Sequence, residues 1–192
     1  AKLRSSYPKV HISLHQATPH EVARMVLDEQ AEIGMATESL ADYPDLVTLP
    51  CYEWQHVLVV PPSHPLATKE RIGLDDLAIE PLITYHPSFT GRNKIDAAFA
   101  ARQLHPRVVL EAIDSDVIKT YVRLGLGVGI VAEMAMREDP GVDLVARPLG
   151  HLFGQSVARV AFKRGAYLRN FVYKFAETLS DRLSRDLIIR AM

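Results

Sequence analysis

The sequence has 192 residues, of which 48% are hydrophobic and 23% charged, and its formal net charge is −1. This balance is typical of a globular protein with one domain or two small ones, and it does not indicate a nucleic-acid-binding surface within the chain. The single cysteine, Cys51, excludes an internal disulfide. No apolar run reaches the roughly 20 residues of a membrane-spanning helix.

The first forty residues predict a strand, a capped helix and a second strand. AKLRSSYPKV reads as a helix end leading into a strand, without a signal-peptide core, so the chain is expected to begin inside a larger fold. Residues 10–16 alternate apolar and polar side chains, the pattern of a half-buried strand. TPHE, from Thr18, is a capping box with proline at the first helical position. A short strand ending at Thr37 completes a predicted βαβ unit with a right-handed crossover.

Apolar runs and helical patterns then alternate to the end of the chain. Strands are predicted at LVTLPCYEW, VLVVPP, PLITY, VVLEAID, GLGVGIVA, GVDLVARPL and SVARVAFKR. Helices are predicted from Thr90, over residues 115–124 with Asp114 or Ser115 as cap, and from Tyr167 to about Leu183. Gly125 is expected to end the second of these helices in the left-handed conformation. GLGVG follows a helix and precedes a strand, which is the reverse of a dinucleotide-binding motif.

This alternation of strands and helices predicts an α/β fold with mostly parallel sheets. The strands are too many and too short for one large sheet, so we expect two small Rossmann-like lobes joined by a double crossover hinge, as in type 2 periplasmic binding proteins. The expected lobes are residues 1–54 with 157–192, and residues 55–156. Ligands of such folds bind at the carboxyl ends of strands, so Thr37 and Thr90 would line a crevice between the lobes.

The stretch PSFTGRNKIDAAF, residues 87–99, predicts a small-anion site at a helix start. Thr90 is the expected N-cap, next to unpaired backbone N–H groups and the positive end of the helix dipole. Gly91 has no Cβ and would let a ligand approach the backbone, while Arg92 adds a positive charge. An ordinary capped helix explains the same residues, and the pattern alone leaves both interpretations open.

Other chemistry has less support in the sequence. His11 and His15 would lie about 13 Å apart on a strand, too far to share one metal ion, so neither a metal nor a cofactor is expected. Cys51 has no basic neighbour, and neither a nucleophile elbow nor a zinc-protease helix is present. No catalytic residue is assigned, and we do not expect an enzyme. Trp54, the single tryptophan, fits either core packing or a cleft wall whose ring N–H donates to a ligand.

Several stretches resemble the CysB subgroup of LysR-type transcriptional regulators. They are HQATPHEVA, EIGMATESL, LPCYEWQHVLVVPPSHPL, PLITYHPSFTGRNKIDAAF, DSDVIKTYVRLGLGVGI and GAYLRNFVYKF. The resemblance runs in register over essentially all 192 residues. It implies the effector-binding domain of a cytoplasmic regulator of cysteine biosynthesis and sulfur assimilation, with the N-terminal winged helix-turn-helix absent from this chain.

The resemblance also implies a ligand and partners. The ligand would be sulfate, thiosulfate or an acetylserine-type inducer. The partners would be further copies in a homodimer or homotetramer and promoter DNA bound through the winged helix-turn-helix, with no membrane involved. By motif, Thr37 of ATE and Thr90 of FTGR match the family's effector pocket, which also uses a Thr-Thr-x-Thr-Gln stretch that this sequence lacks. The other candidate ligand-binding residues are Gln16, Trp54, Gly91 and Arg92.

Two other functions are considered beside this one. A free-standing solute-binding protein for sulfate or sulfonates would have the same fold. The absence of a signal peptide speaks against it, although an incomplete N-terminus would reduce the weight of that absence. An enzyme of sulfur metabolism is the third class, and the sequence offers no reactive residues for it.

Overall fold

The computed structural model describes residues 2–136 and 143–192. The helices are α1 Lys2–Ser6, α2 Pro19–Leu27, α3 Leu74–Ala78, α4 Thr90–Ala101, α5 Ser115–Arg123, α6 Gly150–Phe153, α7 Asn170–Leu179 and α8 Arg185–Ala191. The strands are β1 Gly34–Ala36, β2 Leu46–Val60, β3 Pro81–Tyr85, β4 Arg107–Ala112, β5 Val128–Ala132, β6 Val145–Pro148 and β7 Gln155–Lys163. Short 3₁₀ helices cover Glu38–Asp42, Pro65–Ala67 and Glu133–Met136.

The chain folds into two compact units. The first comprises Ala1–Glu53 with Val157–Met192, and the second comprises Trp54–Ser156. The chain passes from one unit to the other within β2 and returns within β7. The mixed arrangement of helices and open sheets confirms the predicted α/β fold class.

In the first unit, β1 pairs antiparallel with β7, so that Gly34 lies opposite Ala161. Successive residues of a strand point to opposite faces, and β7 accordingly contributes to two apolar clusters. Ala161 packs with residues of α2, including Ala23 and Val26. Phe162, on the other face, packs with residues of α7 and α8.

In the second unit, the sheet contains both parallel and antiparallel pairs. β3 is parallel to β4 and β5, whereas β2 is antiparallel to β5 and β6. The prediction of mostly parallel sheets is therefore wrong. An apolar run indicates that a strand is buried but not its direction, and antiparallel neighbours need no crossover helix. Apolar clusters cover both faces of this sheet.

The strand predicted at residues 10–16 is not formed. The segment belongs to no helix or strand, and the side chains of Ile12 and Leu14 are 44% and 85% exposed. Without that strand, the predicted βαβ unit is also wrong for the described residues. Alternation produces a strand only where a neighbouring strand accepts the hydrogen bonds. With Phe171 and Phe175, the segment lines an open groove of about 270 Å³.

Two further element boundaries differ from the predictions. LVTLPCYEW and VLVVPP form the single strand β2 rather than two strands. The last predicted helix is too long at both ends, because α7 begins at Asn170 and ends at Leu179 and Tyr167 is 91% exposed, and the separate helix α8 that follows was not predicted. β6 begins at Val145, and the first two residues of the strand predicted at GVDLVARPL lie outside the described residues.

The predicted helix ends are confirmed where short-range signals set them. Thr18 and Glu21 form the capping box of α2, with proline at its first position. The side chain of Asp114 caps α5 by accepting a hydrogen bond from the N–H of Asp116 at 2.6 Å. Gly125 has φ +77° and donates to the carbonyl of Val122, in the arrangement of a Schellman motif.

Candidate functional site

The candidate ligand-binding residues divide between the two units. Gln16 and Thr37 belong to the first unit. Trp54, Thr90, Gly91 and Arg92 belong to the second. The second group is concentrated at the start of α4 and on the part of β2 that packs against it.

In the first unit, Thr37 lies at the carboxyl end of β1. It is the N-cap of the 3₁₀ helix Glu38–Asp42, and its hydroxyl lies 3.3 Å from that of Ser39. The next carboxylate, that of Glu38, accepts a hydrogen bond from the N–H of Val157 at 3.2 Å. Gln16 is exposed, in the segment without helix or strand that precedes α2. Thr37 thus has the strand-end position that the sequence predicts.

In the second unit, Thr90 is the first residue of α4 rather than its N-cap. The N-cap is Phe89, which makes no side-chain capping hydrogen bond. The prediction is wrong by one residue, because a turn closed by the N–H of Phe89 on the carbonyl of His86 sets where the helix begins. A helix start provides N–H groups without acceptors inside the helix. Thr90, a partly buried residue, therefore lies within the first turn of α4.

Gly91 is buried against two rings from β2. A Cβ at this position would lie 3.0 Å from Nε2 of His56 and 3.2 Å from the Trp54 ring. The missing side chain therefore makes room for these rings. Approach of a ligand to the Gly91 backbone stays a prediction.

Trp54 and His56 lie two residues apart on β2 and pack edge to face, with ring centroids 5.0 Å apart. Trp54 is 7% exposed, and His56 is fully buried. His56 also contacts the ring of Phe153, with the centroids 5.6 Å apart. Both rings thus belong to the packing beneath the first turn of α4. Sequence reasoning missed His56, although its spacing of two from Trp54 on a strand was a usable signal.

Arg92 is buried and paired with two carboxylates. Its Nε donates to Asp96 at 2.8 Å, and its Nη1 donates to Glu111 at 2.7 Å and to the carbonyl of Tyr85 at 2.9 Å. Burial opposes the charge of the guanidinium, but the two carboxylates outweigh burial and raise the pKa of Arg92. The positive charge that the sequence predicts at this helix start is present and already engaged by acidic groups.

Tyr85 and Ser115 join the ends of neighbouring elements at the same edge of the sheet. The hydroxyls of Tyr85 and Ser115 lie 2.7 Å apart, and the N–H of Ala132 donates to Tyr85 at 3.0 Å. Burial raises the pKa of Tyr85. Because β3 and β4 are parallel neighbours, the helices that follow them both begin at this edge. Sequence reasoning did not select these two residues, which contact each other across 30 positions of the chain.

Metal-ligand clusters and membrane spans were sought over residues 2–136 and 143–192. Within these ranges, no three side chains of the His, Cys, Asp or Glu type are placed to hold a metal ion. No helix in the same ranges is both long enough and apolar enough to cross a membrane. His11 and His15 are exposed, in the same segment of the first unit that forms no strand.

Comparison with known proteins identifies close relatives over the whole chain. The HTH-type transcriptional regulator CysB of Burkholderia cenocepacia is 53% identical over 192 residues, and the match covers 100% of this chain and 61% of that protein. SsuR of the same organism is 47% identical, over 93% of this chain and 58% of SsuR. The regulator cbl of Escherichia coli is 43% identical, over 97% of this chain and 59% of cbl. The chain therefore spans less than two thirds of the length of these relatives.

Solved structures show the same fold. The crystal structure of the cofactor-binding domain of the Cbl transcriptional regulator has a TM-score of 0.90 at 42% identity, covering 98% of this chain and 83% of that chain. The effector binding domain of QuiR in complex with shikimate has a TM-score of 0.77 at 17% identity, which shows the shared fold alone. The model of the LysR substrate binding domain matches residues 1–184. The chain belongs to the LysR substrate binding domain family.

Proposed function

We propose that this chain is the effector-sensing domain of a LysR-type transcriptional regulator of sulfur assimilation and cysteine biosynthesis. The names of its relatives, CysB, SsuR and cbl, support this proposal, as does the identity of 53% to CysB over the whole chain. Those relatives are named as transcriptional regulators, which favours a sensor over the solute-binding protein and over an enzyme. The effector would be sulfate, thiosulfate or an acetylserine-type inducer.

The start of α4 is the observation that carries the ligand proposal. Thr90 begins this 12-residue helix at the carboxyl end of β3. Sulfate at neutral pH has only hydrogen-bond acceptors, so a hydroxyl and backbone N–H groups are suitable partners for it. Neutral donors can replace its hydration shell without a net positive charge. We propose that Thr90 and Gly91 contact the ligand, with Trp54 forming a wall. Gln16 and Thr37 stay candidate ligand contacts of the first unit.

The regulatory mechanism would depend on differential affinity. An effector shifts a protein between two arrangements only as far as it binds one of them more tightly than the other. In the whole regulator, that shift would change the affinity of a homodimer or homotetramer for promoter DNA in the cytoplasm. DNA contact would come from a winged helix-turn-helix outside these 192 residues. α5 suits a contact between copies, because Val117, Tyr121 and Leu124 leave apolar surface exposed along it.

Thermal-shift screening of the intact regulator tests the proposed ligand class. Ligands that bind only the folded state raise the unfolding temperature as their concentration exceeds Kd. We expect sulfate, thiosulfate or acetylserine to raise it, with sodium chloride at matched ionic strength as the control. A response to none of these compounds would contradict the proposed ligand class. Regulation of sulfur genes would then need another effector.

A further inference from the structure

Arg92 connects the first turn of α4 to the ends of two strands. It hydrogen-bonds the carbonyl of Tyr85, the last residue of β3, and the carboxylate of Glu111 on β4. A third bond reaches Asp96 one turn along the same helix. The Arg92 side chain is only 9% exposed, whereas the side chains of Glu111 and Asp96 are 38% and 45% exposed. One buried guanidinium thus joins three elements beside Thr90.

The charges around this guanidinium disfavour a second anion. Two carboxylates already lie within 3 Å of it, at 2.7 and 2.8 Å, so this group of three side chains has a net negative charge when both acids are ionised. A sulfate ion that approached the guanidinium would meet both carboxylates at short range. Three of the five N–H donors of the guanidinium are already engaged, by Glu111, Asp96 and the Tyr85 carbonyl.

We propose that Arg92 is a positioning residue, which together with Glu111 holds the Thr90–Gly91 turn in place, and that it does not contact the ligand. The proposal rests on the proposed function, because it assigns recognition of the anion to the neutral donors at the start of α4. Glu111 thereby supports ligand binding although it is negatively charged. The Trp54 and His56 rings pack against Gly91. The hydrogen bond from Arg92 to Glu111 holds the residue that follows Gly91 in the chain.

Replacing Glu111 separates this role from direct contact, because the two predict opposite signs. If Arg92 bound sulfate directly, removing a neighbouring negative charge would leave sulfate affinity unchanged or increase it. If Arg92 positions the turn, we expect Glu111→Ala to raise the Kd for sulfate about tenfold, comparable to the loss of one charge-assisted hydrogen bond. Glu111→Gln keeps an acceptor for Nη1 and should recover part of that loss. Titration calorimetry, with sodium sulfate added to the intact regulator, measures the Kd of the unmodified protein, of Glu111→Ala and of Glu111→Gln.

Controls separate positioning from a general loss of stability. Ile95→Val, in the core of the same helix, lowers stability without touching the pairing and should leave sulfate Kd unchanged. Arg102→Gln removes an exposed arginine from the other end of α4, where its only described ion pair is at 3.6 Å to Asp75, and should also leave Kd unchanged. The double variant Arg92→Gln with Glu111→Ala should bind no more weakly than Arg92→Gln alone. Equal or tighter sulfate binding by Glu111→Ala would overturn the proposal.

A second measurement tests the positioning role without any ligand. In Glu111→Ala, we expect the first-turn amides of α4, including those of Arg92 and Asn93, to exchange hydrogen about tenfold faster than in the unmodified protein, which is the local opening that a lost tether permits. Amides further along α4 should keep their rates. Unchanged first-turn exchange would overturn the proposal. If the unmodified regulator binds no sulfate, the proposed ligand fails by itself, and this exchange measurement still decides the role of Arg92.

Discussion

Two aromatic rings fill the space that a side chain at Gly91 would need. Both rings are held in turn, since His56 packs against Phe153 and Trp54 packs against His56. Alanine normally stabilises a helix relative to glycine by about 1 kcal/mol. Here the contacts at 3.0 and 3.2 Å oppose that gain, because buried rings cannot easily move aside.

We therefore expect Gly91→Ala to lower the free energy of unfolding by about 1 kcal/mol, the difference between overpacking and helix propensity. Urea denaturation measures the change. Asn93→Ala, an exposed position in the next part of the helix, is the control and should stay within about 0.5 kcal/mol of the unmodified protein. A clear gain in stability for Gly91→Ala would mean that the rings yield and that the close packing does not require glycine.

At the residue scale, the sequence predicted that a helix begins near Thr90, but it did not predict most side-chain contacts at that helix start. The pairing of Arg92 with Asp96 was accessible, since residues four apart on a helix are neighbours. Its pairing with Glu111 was not, because that contact depends on β4 lying parallel to β3. Likewise, the absence of a Cβ at Gly91 suggested room for a ligand, whereas only the fold places the rings of β2 there.

At the scale of elements, helix ends were predictable and strand pairing was not. The capping box of α2, the Asp114 cap of α5 and the turn at Gly125 depend on residues within a few positions of one another. Strand direction depends on partners far along the chain, so the mixed sheet of the second unit was missed. The segment at residues 10–16 has strand periodicity, yet it belongs to no strand in the described chain.

The capping box of α2 offers a test at this scale. Thr18→Ala should lower the free energy of unfolding by about 1 kcal/mol, because the N–H of Glu21 loses its acceptor. Thr120→Ala is the matched control. This exposed threonine lies inside α5, where alanine is the better helix former, so no loss is expected. Equal losses from both variants would contradict the assigned cap.

The capping box also predicts how this difference depends on pH. Hydrogen bonds from the Thr18 backbone and side chain lower the pKa of Glu21 below 4.5. A carboxylate with a lowered folded-state pKa stabilises the fold above its unfolded pKa and loses that contribution as pH falls through the folded value. The gap between Thr18→Ala and the unmodified protein should therefore narrow in acid. Denaturation series at neutral pH and below pH 4.5 measure it, and a constant gap would contradict the hydrogen bond from the Thr18 hydroxyl to the Glu21 carboxylate, which is the one that the substitution removes.

At the scale of the whole molecule, one family model spans both compact units of the chain. Residues 1–184 match the LysR substrate binding domain, and the chain passes between its units within β2 and within β7. The family could be predicted because several sequence stretches resemble one subgroup in register. The effector could not, since sulfate, thiosulfate and acetylserine differ in contacts that only a bound structure would distinguish.

Calorimetric titration of the intact regulator with sodium sulfate, comparing the unmodified protein with Thr90→Ala, tests the central claim most directly. Loss of one donor to a buried anion should weaken binding by about 1–3 kcal/mol, because the alanine side chain cannot donate a hydrogen bond. Thr120→Ala, in the same unit, should bind as the unmodified protein does. The account predicts a weaker Kd for Thr90→Ala alone. An unchanged Kd would contradict it and would exclude the Thr90 hydroxyl from the ligand site.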